Sequence, residues 1–174
     1  MEYKRNETCC FIGHRKLNIT EALEKLLYET LTELIVNRGI TTFLFGSRSE
    51  FDTLCLKIVS SLKEKFPFIK KIYVRAEYQY ISEDYRNHLL KWYDDTYYSP
   101  KIQNSGKAVY VERNYEMINC SSICVCYYNR EYQPPRRKNS NKDLYDYQPK
   151  SGTKIAYEYA IKKCDSVINM FCKI

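Results

Sequence analysis

Three short segments carry the residue types best suited to chemistry in this chain. Gly13-His14-Arg15 follows the apolar run 8–12, Gly46-Ser47-Arg48-Ser49 follows the apolar run 42–45, and Ser151-Gly152-Thr153 precedes Lys154-Ile155-Ala156-Tyr157. A loop that ends a strand and opens a helix presents unpaired backbone N–H groups at the positive end of the helix dipole, which is a setting for an anion. Three such loops on one sheet edge suit a phosphorylated ligand, a nucleotide above all. Within them, Gly13, Gly46 and Gly152 admit close backbone approach. His14 offers a neutral donor and Arg15 a planar fork that matches phosphate oxygens. Ser47, Ser49, Ser151 and Thr153 are N-cap types, and capping leaves a helix N-terminus open to an anion. Asp52, early in the segment after the second loop, either answers the helix dipole or bonds a ribose hydroxyl across the crevice.

The elements that must position these loops are readable from periodicity. Leu23, Leu26, Leu27, Leu31, Leu34 and Ile35 fall at three- and four-residue spacing, which predicts an amphipathic helix over 19–37, capped by Asn18 or Thr20 and ended at Gly39. A strand at 41–45 follows. Phe51, Leu54, Cys55, Ile58, Val59, Leu62 and Phe66 repeat the stripe until Pro67, and 71–74 reads as a third strand. The middle, 76–106, is rich in Tyr and charge and shows only a short helix around Tyr85 to Trp92. A helix over 110–119, an apolar strand over 122–127, a helix over 153–163 and a strand over 166–171 complete the pattern, with a long loop at about 130–150 between strand and helix. The order β-α-β-α-β predicts a single α/β domain over 1–174: a Rossmann-like, mostly parallel sheet of about five to six strands with helices on both faces.

Composition narrows the partners. The chain has 174 residues, 44% of them hydrophobic, which suits one core. Its net charge of +7 is dispersed rather than gathered in a tail, and favours an anionic partner. The eight cysteines include Cys9-Cys10 and Cys124-Val125-Cys126 inside predicted strands, where they read as small buried hydrophobes in a reduced, cytoplasmic setting. No Cys-x-x-Cys pair occurs and His14 and His88 lie far from any cysteine pair, so no metal site is expected. No apolar stretch reaches about 18 residues and no signal peptide is evident, so neither membrane spanning nor secretion is expected. Tyr127-Tyr128-Asn129-Arg130-Glu131-Tyr132 and Lys91-Trp92-Tyr93 interleave aromatics with bases, a pattern that can stack on single-stranded nucleic acid but that half-buried tyrosine also explains.

Taken in order, Cys9-Cys10-Phe11-Ile12-Gly13-His14-Arg15, Arg113-Asn114-Tyr115-Glu116-Met117 before Cys120-Ser121-Ser122, and Gly152-Thr153 resemble the YpsA-like branch of the SLOG superfamily over nearly the whole chain. The resemblance implies a Rossmann-like fold related to the LOG phosphoribohydrolases and to the DNA-processing protein DprA, with a glycine-bearing nucleotide pocket. Two departures stand out. The usual Gly-x-x-x-Gly-Phe-Asp is here Gly46 to Asp52 without its later glycine, and Gly-Gly-Thr is Ser151-Gly152-Thr153. By the same resemblance, LOG enzymes pair an Arg at the position of Arg113 with a Glu where this chain has Ala156, and a methyl group can neither stabilise an oxocarbenium ion nor activate water.

The preferred expectation is therefore non-catalytic binding or sensing of a nucleotide or nucleotide-derived ligand by Gly13, His14, Arg15, Gly46, Ser47, Asp52, Arg113, Ser151, Gly152 and Thr153, with no further cofactor. The alternatives are an N-glycosidic phosphoribohydrolase and, second, DprA-like binding of single-stranded DNA. Self-association stays open.

Overall fold

The computed structural model describes residues 4–104, 106, 108–132 and 151–173. The loop expected at about 130–150, with its Arg136-Arg137-Lys138 cluster, falls for the most part outside the described residues.

Six parallel strands form one sheet: β1 (Thr8–Gly13), β2 (Thr42–Phe45), β3 (Lys70–Arg75), β4 (Asp95–Tyr98), β5 (Ile123–Tyr127) and β6 (Ser166–Asn169). Their order is β4-β3-β2-β1-β5-β6. The chain thus builds outward from β1 through β4, then returns to the other side of β1, which leaves a topological switch point between β1 and β5. The helices are α1 (Glu21–Arg38), α2 (Glu50–Lys65), α3 (Glu83–Leu90), α4 (Ala108–Asn119) and α5 (Gly152–Lys163).

Alternation along β1 divides the core in two. Cys9 and Phe11 join Phe43, Phe45, Ile123 and Val125 beneath the apolar stripes of α1 and α2. Cys10 and Ile12 join Leu44, Ile72, Cys124 and Cys126 beneath Met117 and Ile118 of α4 and Ala156 and Ala160 of α5. Both faces are covered, so β5 is buried on both sides and reads as an unbroken apolar run. All eight cysteines are described and none is bridged; five are buried, and burial pushes the Cys9 and Cys126 thiols well up.

Local signals set the boundaries. Thr20 caps α1 by accepting from the Leu23 amide, and Gly39, at φ 66°, ends it in the left-handed conformation that glycine alone adopts without cost. Pro67 follows the last turn of α2. Two elements differ from expectation. β4 sits in the Tyr-rich middle, where Asp95-Thr96-Tyr97-Tyr98 is too short and too mixed at an edge to show a period. The terminal strand stops at Asn169, and Met170–Lys173 turns into a 3-10 helix that buries Met170 against the first core.

Candidate nucleic-acid interface

At the carboxyl ends of β1 and β2 the first two loops are sewn to each other. The Glu50 amide donates to the Arg15 carbonyl at 2.9 Å and the Leu17 amide to Glu50 Oε2 at 2.9 Å. Ser49 caps α2, accepting from the Asp52 amide at 3.0 Å, while its own amide donates to Ser47 Oγ at 3.1 Å. The amides expected to cradle a phosphate are occupied from inside: those of Gly46 and Ser47 donate to Asp52 Oδ2 at 3.2 and 2.7 Å. Asp52 is 3% exposed, so its carboxylate turns inward as the loop's own anion rather than outward toward a ribose. Burial lifts its pKa to about 6 against the pull of the Ser47 and Gly46 amides and the Arg113 guanidinium.

The glycines of these loops also answer to packing. A Cβ on Gly13 would lie 2.4–2.5 Å from the Phe51 side chain, and one on Gly46 would lie 2.6 Å from Arg113 Cδ and Met117 Sδ. Arg113 is buried at 4% exposure, its Nε donating to Asn114 Oδ1 at 3.1 Å and its guanidinium lying over the Tyr110 ring at 5.8 Å. Burial pulls its pKa down and the Asp52 charge opposes that, while the Arg113 side chain packs against Gly46 of the second loop.

His14 is buried as well. Its Nε2 accepts from the Asn129 amide at 3.0 Å, its ring lies against Tyr132 at 4.1 Å between centroids, and desolvation lowers its pKa, keeping it neutral. Arg15 is exposed. At the third loop, Ser151 Oγ accepts from the Lys154 amide at 3.1 Å and Thr153 Oγ1 donates to the Gly13 carbonyl at 3.1 Å. Among the described residues, nothing lies within 4 Å of where a Gly152 Cβ would stand, and the Gly152 and Thr153 amides have no partner.

The structure brings Gly13, Ser47, Asn114 and Thr153 together around a cavity of about 30 Å³. That is room for a water or two, not for a phosphate. Position 156, where the resembled hydrolases carry glutamate, is 1% exposed inside the second core, so an acidic side chain there would enter the apolar cluster.

The roomier feature lies one residue further along, over β2 and β3. Arg48, Glu77, Tyr78, Tyr80, Ser82 and Tyr85 line an open cleft of about 340 Å³, enough for a nucleoside. Arg75, at the end of β3, props its rim by donating to the Tyr78 and Gln79 carbonyls at 2.9 and 3.1 Å. Ser82 caps α3 from the Tyr85 amide at 3.2 Å. Arg48 shares the cleft with Tyr85, and the polar neighbourhood of Tyr85 and Tyr73 raises its pKa further. Tyr78 is 62% and Tyr80 86% exposed. The sequence pattern placed Arg48 in the second loop and Tyr85 in the short helix but assigned none of these residues to a site, although the signal was there in the concentration of tyrosine and charge over 76–106. The aromatics it did single out are mostly structural: Tyr128 is buried, facing Tyr157 at 4.5 Å, and Tyr132 covers His14.

No family model and no curated protein matches this sequence. Among solved structures, the chain matches DNA processing protein A from Helicobacter pylori, described for its single-stranded DNA binding mode, with a TM-score of 0.55 at 14% identity. The two share a fold. The match covers 93% of this chain and 64% of the length of DNA processing protein A. The Rossmann-like architecture expected from the sequence, a single α/β domain with one parallel sheet, is thus present in three dimensions. No helix among the described residues is long and apolar enough to cross a membrane.

Proposed function

We propose that this chain binds single-stranded nucleic acid along the carboxyl edge of its sheet, with a base held in the cleft of Arg48, Tyr78, Tyr80 and Tyr85. The observation that carries this reading is the cleft itself: three tyrosines and an arginine around a volume of about 340 Å³. Base–aromatic stacking contributes about 1–3 kcal/mol per base and tolerates any sequence, because every base has a π-face. A guanidinium adds a planar partner for phosphate or ring. The surplus of seven positive charges supports an extended polyanion over a neutral ligand. The fold shared with a protein that binds single-stranded DNA points the same way.

A mononucleotide or nucleotide-derived signal is the second reading, and the amides at the start of α5, without a partner among the described residues, favour it. Against it stands the cavity of about 30 Å³ between the three loops. Fluorescence anisotropy with labelled single strands, duplexes and mononucleotides separates the two. Single strands should bind with a steep, linear loss of log affinity in log salt, and Arg48→Ala should weaken them at unchanged thermal stability. Binding of mononucleotides with indifference to single strands would overturn the proposal.

A further inference from the structure

The cleft holds one group that stacking alone does not need. Glu77 places a carboxylate on the lining beside Arg48 and the tyrosines, and the Tyr110 hydroxyl donates to its Oε1. Tyr110 is held in turn by the Arg113 guanidinium over its ring, so a chain of contacts from the buried Arg113 reaches the cleft wall and positions this carboxylate. An acidic group facing a polyanion works against general affinity. It makes sense as a reader of bases.

Resting on the single-strand reading above, we infer that Glu77 selects guanine in the cleft. An ionised carboxylate is acceptor-only. Among the bases, only guanine presents two adjacent donors on its Watson–Crick edge, N1–H and the N2 amine, which match the two carboxylate oxygens. Adenine and cytosine set one amine beside a ring acceptor, and thymine sets its one N–H between two carbonyls. Each of those three turns at least one lone pair toward the carboxylate. Tyr110 is a positioning residue for Glu77, and the tyrosine faces of the cleft hold the ring plane.

The test is anisotropy of thymidine strands carrying a central guanosine, inosine, adenosine or thymidine, read as ratios of affinity. The guanosine strand should bind about tenfold tighter than all-thymidine, as one bidentate pair allows, and inosine, which lacks the N2 amine, should lose most of that gain. Glu77→Gln should abolish the ratio while leaving the thymidine strand unchanged or tighter, since it removes a negative charge. Tyr110→Phe should lower the ratio part-way. Equal binding of all four strands by the native chain overturns the role of Glu77 and leaves the single-strand reading standing; failure to bind any strand sinks both. A Glu77→Gln variant that weakens all strands alike would also overturn the inference, by making Glu77 part of the scaffold.

Discussion

The two halves of the sheet's carboxyl edge are built from different residue types and enclose very different volumes. Over β1, β2 and β5, glycine, serine and aspartate loops are tied to one another and leave a cavity of about 30 Å³. Over β2 and β3, tyrosines and arginine frame one of about 340 Å³. The boundary runs between Ser47, which lines the small cavity, and Arg48, which lines the large one. A glycine loop at a strand end is therefore no assurance of a ligand. Its amides need an anion, and an internal carboxylate such as Asp52 supplies one.

The largest effect expected on this contrast comes from Gly13→Ala. If the first loop is closed by packing, the added methyl meets Phe51 and destabilises the fold by about 3 kcal/mol, seen as a lower urea midpoint. A variant of native stability that had lost ligand binding would reopen that half of the edge. Next is Asp52→Ala, which strands two amides of the second loop and should cost about 2 to 3 kcal/mol.

Asp52→Asn keeps an acceptor and exposes the cost of the charge instead. With a pKa raised from 3.8 to about 6, the native state binds the Asp52 proton more tightly than the unfolded chain does. Stability from this group is therefore fullest below pH ~4 and declines as pH rises through ~6, then levels. The difference in urea midpoint between the native chain and Asp52→Asn should fall across that window. A flat difference would show that Asp52 is solvated, and with it that the second loop is open.

These contacts explain what the sequence could and could not convey. Helical stripes, caps and the apolar runs of β1, β2 and β5 are local, so α1, α2, α5 and most of the parallel sheet were legible from residues such as Thr20, Gly39 and Pro67. The match of Gly13 to Phe51, and of Gly46 to Arg113, depends on which residue a neighbouring element presents, and periodicity holds no record of that. Asp52 does stand in the first turn of α2, as a dipole partner would, but faces away from a ribose. Its inward bonds to Gly46 and Ser47 arise only once the turn closes. The cleft was missed for a related reason: Arg48 and Tyr85 meet across the β2–α2 and β3–α3 connections, far apart in sequence.

Smaller effects belong to the open half. Tyr80 is 86% exposed, so Tyr80→Ala should leave the melting temperature unchanged while weakening single-strand binding about tenfold, the loss of one stacked base. Unaltered affinity would move the stacking surface away from the cleft and weaken the division of the edge.

The smallest effect expected is at the third loop, which belongs to neither half as drawn. A Cβ on Gly152 meets nothing among the described residues and its φ is not positive, so Gly152→Ala should change stability by less than about 0.5 kcal/mol. Its new methyl would nonetheless stand beside the Gly152 and Thr153 amides at the start of α5. If the strand runs only through the cleft, affinity stays as it was. If a phosphate of the strand also rests on those amides, affinity falls while stability holds, and the salt dependence loses slope by one contact. That second outcome would extend the interface from the Arg48 side to the β1–β5 switch point, and make the closed loops between them a wall that the strand crosses rather than the end of the site.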